Sequence, residues 1–222
     1  MVGKAQLISR SRRVLASVAA ALMLAAVAAA LMLASADGRA ALAQSPNAAQ
    51  PARAAIGGPF RLTSEDGRTV TDATYRGKWL LVYFGYTHCP DICPTTLAEV
   101  AATLERLGPL AAAVQPLFIT IDPERDSREA MAAYVKAFDS RIVGLTGTAA
   151  EIAAAAKAYR VYYAKRAPTG AAQDDYAMDH SAFVYVMDPN GRYVTLFAPA
   201  GGQGVEQMEA RLRELITRPA AK

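Results

Sequence analysis

The sequence predicts an α/β domain, a mixed central sheet flanked by helices, carried behind an N-terminal membrane segment. Three observations lead there. Short apolar runs alternate with helical periodicity through the middle of the chain, in strand–helix–strand–helix order. Asp66-Gly67 and Asn190-Gly191 stand as turn signals between β-prone runs. Residues 14–34 contain no charged side chain and follow the basic cluster Arg10, Arg12 and Arg13.

The uncharged run is about long enough to cross a bilayer, which takes roughly 20 residues as a helix. It exceeds the roughly 7–15 apolar residues of a signal-peptide core, which favours a retained anchor. Ala41-Leu42-Ala43 before Gln44 offers a small-residue cleavage site as the alternative. Either way the basic end stays in the cytoplasm and the bulk of the chain is exported. In a bacterium this predicts a single-pass protein of the inner membrane with its C-terminal domain in the periplasm, or a soluble periplasmic protein after cleavage. Residues 1–34 are thus the basic end and membrane segment. Residues 35–55, Ala, Pro, Gln and Ser without a period, read as a flexible tether, and 56–219 as the globular domain.

The net charge of +4 is carried by the leader. Lys4, Arg10, Arg12 and Arg13 lie before residue 34 with no acid among them, so the remainder holds 20 basic and 20 acidic residues. A neutral globular part has no electrostatic footprint for nucleic acid.

Within the domain, 60–63 and 69–71 form a hairpin around Asp66-Gly67, and 79–84 is a buried strand. Pro94 fits a first helical position, which makes Cys93 the N-cap of a helix that Gly108-Pro109 ends. Residues 117–121 are the next strand. Asp126 with Glu129 reads as a capping box for a helix to about Phe138. A short strand follows at 142–145, then a helix that Thr148 caps, reaching about Tyr159. Residues 161–163 read as a strand, 165–180 as a long polar loop, and 181–187 and 192–197 as a hairpin. Gly201-Gly202 breaks the chain before an amphipathic helix over 204–217.

The chain's two cysteines both lie in Gly85-Tyr86-Thr87-His88-Cys89-Pro90-Asp91-Ile92-Cys93-Pro94, a loop between strand and helix. Open α/β sheets place their sites at such strand ends. Nothing is left for a structural disulfide. Buried cysteines are ordinarily small apolar residues, but an exported chain with no other thiol makes that reading weak here. A thiol at a helix N-terminus favours thiolate. Three chemistries remain open: disulfide exchange with Cys89 attacking and Cys93 resolving, peroxide reduction with Thr87 near Cys89, and binding of a soft cation such as Cu(I) or Zn(II). The second thiol so close in sequence disfavours peroxide reduction. His180 is one of only two histidines and follows a long polar loop. Asp179 beside it is the candidate to orient its ring. Asp122, at the end of the neighbouring strand, either tunes the site or caps the following turn. His88 is expected to be structural or electrostatic, and Met178 core filler.

The decapeptide at 85–94 closely resembles the signature of the SCO/SenC family of copper-binding, thioredoxin-like proteins. The likeness continues at Asp122-Pro123-Glu124-Arg125-Asp126-Ser127 and at Tyr176-Ala177-Met178-Asp179-His180-Ser181, in the family's order, over roughly residues 56–217. Ser127 where Thr is frequent and Ala177-Met178 where an aliphatic pair is usual are departures that remove no ligand. The resemblance implies a thioredoxin-like fold and a site for copper, Cu(I) or Cu(II), made of Cys89, Cys93 and His180. It also implies a metallochaperone that supports assembly of the binuclear copper centre of cytochrome c oxidase, or a thiol reductant for that subunit's cysteines. The implied partners are the copper-carrying subunit of the oxidase, other copper chaperones and, through the N-terminal helix, the membrane.

Overall fold

A computed structural model describes residues 56–167, 176–198 and 204–218. The expectations for the membrane segment, the tether, the Ala43-Gln44 cleavage point, Gly201-Gly202 and residues 168–175 of the polar loop lie outside the described residues. Among those described, no helix is long and apolar enough to cross a membrane.

The chain opens with the hairpin β1 (Arg61–Ser64) and β2 (Thr69–Thr71), Leu62 opposite Val70. Gly67 takes φ +86° at the turn, where a side chain would be strained. Then come β3 (Trp79–Gly85), α1 (Ile92–Leu107), β4 (Val114–Thr120), α2 (Arg128–Lys136), β5 (Val143–Thr146) and α3 (Ala149–Tyr159). The last part holds β6 (Tyr163–Arg166), β7 (Ala177–His180), β8 (Val184–Met187), β9 (Tyr193–Phe197) and α4 (Gly204–Thr217). Seven strands make one mixed sheet in the order β2-β1-β5-β4-β3-β8-β9, while β6 and β7 form a separate ribbon. The parallel pairs β3–β4 and β4–β5 sit at its centre. Their strands are buried on both faces, which is why 79–84 and 117–121 read as unbroken apolar runs.

Alternation along β3 sorts the core into two layers. Tyr83 stacks on Phe118, which in turn meets Tyr134 of α2, so this layer lies under α1 and α2. Phe84 meets Tyr159 of α3 on the opposite face. Helix α4 covers α1, where Met208, Leu212 and Leu215 are buried and Arg106 bridges Glu206 and Glu209 at 2.9 and 2.8 Å.

Four expectations need correction. Asp91, not Cys93, is the residue before α1, and Pro94 is the third helical residue; every first-turn position lacks an intrahelical N–H partner, so proline fits there too. Ser127 caps α2, its hydroxyl accepting from the Ala130 amide, while Asp126 turns inward. The strand expected at 161–163 begins only at Tyr163 and runs to Arg166. The strand expected at 181–187 is β8 alone, which starts at Val184 and pairs with β3, while the end of the expected loop is itself a strand, β7, paired with β6. His180 therefore ends one ribbon instead of starting a sheet strand. The capping box at Thr148 is present, with Glu151 reaching back to the Thr148 amide at 2.8 Å.

Candidate metal centre

The site is built at the C-terminal end of β3. Tyr83 and Gly85 point to the same side, and α1 begins over them. A side chain on Gly85 would put a Cβ 2.8 Å from Cys93 Sγ and 2.7 Å from the Phe118 ring, so the absence of one lets the sulfur settle on the strand. Cys93 is fully buried and Cys89 nearly so, and both are free thiols.

The sulfur of Cys89 accepts the Cys93 amide at 3.4 Å. That amide is one of the orphan donors of the first turn of α1, so the positive helix end acts on Cys89, where the sequence reading had placed it on Cys93. A hydrogen bond from the Cys93 thiol is the main force holding the Cys89 thiol down, to about 4, against the cost of burial; His180 and the Asp91 and Cys93 amides add to it. The same bond keeps the proton on Cys93, whose thiol is pushed far up, with burial acting in the same direction. The two thiols are thus coupled, the outer one held down and the inner one pushed up.

His180 comes in from the ribbon. Its Nδ1 lies 3.2 Å from the Ser181 carbonyl oxygen, which can only accept. Nδ1 is therefore the nitrogen that donates to that carbonyl, and Nε2 faces the sulfurs, 3.5 Å from Cys93 Sγ. Tyr83 and Tyr86 meet the ring edge-on at 6.3 and 6.0 Å between centroids. The ligand atoms of Cys89, Cys93 and His180 all lie within 4.8 Å of one another.

Asp179 does not orient the ring. Successive residues of a strand face opposite ways, and the Asp179 carboxylate turns out to Arg166 on β6, at 2.9 Å from Nε. Its expected place is taken by the Ser181 carbonyl. Asp122 is buried and touches neither sulfur. Its carboxylate accepts from Arg125 Nε at 2.6 Å and from the Tyr176 hydroxyl at 2.8 Å. Arg125 also donates to the Tyr176 carbonyl and lies over the Tyr176 ring at 3.5 Å, with the Tyr86 ring 5.8 Å away. Asp122 and Arg125 thereby tie the segment that carries His180 to the end of β4.

Asp126 performs the matching task for the cysteine loop. Fully buried, it accepts from the Thr87 amide and hydroxyl and from the Thr120 hydroxyl, the last two at 2.6 Å. The Thr87 hydroxyl thus points to Asp126, with His88 Nδ1 3.1 Å from it. His88 is half-exposed, 3.7 Å from Asp126, and joins no metal-ligand cluster among the described residues. Met178 packs against the core, as expected of filler. Reading Asp126 as a cap hid its role, and no spacing rule pointed to Gly85, Arg125 or the Tyr83 hydroxyl. A tyrosine inside an otherwise apolar buried strand was the available signal for the last.

Two soft sulfurs, both buried, and one partly exposed imidazole nitrogen are a donor set for a soft or borderline cation, with copper first among them. The family model described as SCO1/SenC matches residues 48–217. The chain belongs to the SCO1/SenC family. Human "Protein SCO1 homolog, mitochondrial" is 46% identical over 145 residues, 64% of this chain and 47% of that protein. "Protein sco1" of Schizosaccharomyces pombe is 42% identical over 146 residues, 65% of this chain and 56% of that protein. The chain spans about half the length of the curated SCO relatives it matches. Among solved SCO structures, Bradyrhizobium japonicum ScoI with copper bound superposes with a TM-score of 0.66 at 46% identity, covering 72% of this chain and 99% of that one. Yeast Sco1 with copper bound gives 0.64 at 37% identity, covering 75% of this chain and 92% of that one. The α/β, thioredoxin-like expectation with a mixed central sheet holds for the described SCO domain.

Proposed function

We propose that this chain is a membrane-tethered copper chaperone that holds copper through Cys89 Sγ, Cys93 Sγ and His180 Nε2. It passes the metal to the copper-carrying subunit of cytochrome c oxidase, receiving it from other copper chaperones. The domain works on the periplasmic face of a bacterial inner membrane, anchored by residues 14–34. The observation that carries this reading is the convergence of the three ligand atoms within 4.8 Å, from a loop and a ribbon far apart in sequence. The copper-bound relatives support the choice of metal.

The donor set suits transfer. Cys89 arrives as thiolate, and metal uptake need displace only the proton on Cys93. His180 stands on a two-stranded ribbon and is partly exposed, so one of three ligands can yield to an incoming donor without unfolding the core. Metal analysis of the reduced domain tests the reading: one copper per chain is expected, and no uptake would sink it. In the host, deletion should lower cytochrome oxidase activity, and added copper should restore it.

A second reading is supported by the asymmetry of the thiols. A thiolate at Cys89 backed by a protonated Cys93 is the arrangement of a thiol–disulfide oxidoreductase. Cys89 attacks a substrate disulfide, one substrate sulfur leaves as a thiolate, and Cys93, giving up its proton, closes the Cys89–Cys93 disulfide as the second leaves. In that case His180→Ala keeps full reductase activity and a reductant, not copper, rescues the deletion.

A further inference from the structure

We infer that Tyr83 is a positioning residue for the copper site, its hydroxyl fixing the electron density on the Cys93 sulfur. The inference rests on the reading that Cys93 is a copper ligand. Tyr83 lies in the middle of the central strand and is 1% exposed, a place where phenylalanine would pack as well. Its ring does the packing, stacked on Phe118 at 5.9 Å and edge-on to His180. Its hydroxyl needs a partner in a dry core, and donates to Cys93 Sγ at 3.5 Å. Thr96 also lies beside the phenol oxygen, but gives its proton to the Ile92 carbonyl at 2.7 Å. The phenol hydroxyl is thus the side-chain donor directed at the sulfur from the strand.

Gly85 makes this contact possible, because the sulfur occupies the space that a side chain at the strand's end would fill. Tyr83 thus touches one sulfur and the imidazole together and forms the floor of the site. A hydrogen bond to a thiolate withdraws electron density from it. It weakens donation to Cu(II) more than to Cu(I) and raises the energy of sulfur-to-Cu(II) charge transfer. The hydroxyl is a device for keeping the site acceptable to both oxidation states.

The test compares the reduced domain with its Tyr83→Phe variant, each loaded with Cu(II) or, without oxygen, with Cu(I) against a chromophoric chelator. The charge-transfer band should move to longer wavelength in the variant. The ratio of Cu(II) to Cu(I) affinity should rise by roughly tenfold, about the worth of one hydrogen bond. Tyr134→Phe is the control: it deletes a buried hydroxyl of the same aromatic layer that has no partner among the described residues. It should leave band and ratio alone. If Tyr83→Phe matches wild type, or Tyr134→Phe shifts both as far, the inference is overturned. The native chain supplies a reading without mutation: its Cu–S stretch should shift in D2O, and an unshifted stretch overturns the inference equally. If wild type itself shows no sulfur-to-copper band, the ligand assignment to Cys93 fails instead.

Discussion

The site joins two regions of opposite character. The cysteine loop is welded to the core: Cys93 is fully buried, Gly85 admits its sulfur, and a buried Asp126 holds Thr87 from behind. The His180 ribbon is a two-stranded appendage outside the main sheet, pinned at one end by Asp122, Arg125 and Tyr176 and edged by solvent-exposed ion pairs. The segment from Asp122 to Asp126 serves both, clasping the ribbon with one end and the loop with the other. For the proposed copper site this difference implies a division of labour: retention by the rigid thiol side and exchange by the peripheral imidazole side.

The strongest way to break that comparison is to remove a ligand from each region. Cys93→Ser should abolish copper retention on gel filtration, since a hydroxyl is a poor ligand for a soft cation. His180→Ala should keep the two thiolates and lose only about 10- to 100-fold in Cu(I) affinity, measured by chelator competition. Equal losses would show that the two sides are not different in kind.

Next in size is the support behind the loop. Asp126→Ala leaves the Thr87 amide and two hydroxyls without their acceptor and should cost ~2–4 kcal/mol in urea unfolding. A cost under ~1 kcal/mol would mean the loop is not held from behind.

The thiol pair gives a pH signature. Cys89 sits at about 4 when folded, well below an ordinary thiol at ~8.5, so its contribution to stability is full above ~8.5 and fades as pH falls toward about 4. Cys93 is displaced upward, so its contribution is full below the ordinary value and lost as pH rises beyond it. Relative to a Cys89→Ser, Cys93→Ser double variant, the reduced apo chain should lose stability from pH 8 to pH 5. A flat difference would remove the proposed thiolate.

The smallest effect belongs to the ribbon's edge. Arg166→Ala breaks only an exposed pair with Asp179 and should cost under ~1 kcal/mol, with copper affinity unchanged. A loss of affinity would return to Asp179 the orienting role that the structure denies it.

Much of this was legible in the residues. Buried parallel strands announce themselves as apolar runs, and scarcity alone singled out Cys89, Cys93 and His180. What stayed hidden was direction. The Asp179 error follows from period-two alternation along β7, which could have been applied once that stretch was read as strand and not loop. Asp126 and Ser127 are both good caps, and only the packing decides which one turns inward. Pro94 is compatible with any first-turn position, so it marked the start of α1 only to within two residues. Gly85 and the Tyr83 hydroxyl matter through contacts that no one-dimensional pattern encodes.

Gly85 also sets a condition on anyone transplanting this donor set into another α/β scaffold. Copying the two cysteines with their spacing and adding a histidine opposite would reproduce the composition of the centre. In a host strand that ends in alanine or valine, the inner sulfur would be pushed off the sheet, away from the phenol and the imidazole. The smallest portable unit is therefore a strand end as well as a loop: a tyrosine, then a residue, then a position with no side chain at all.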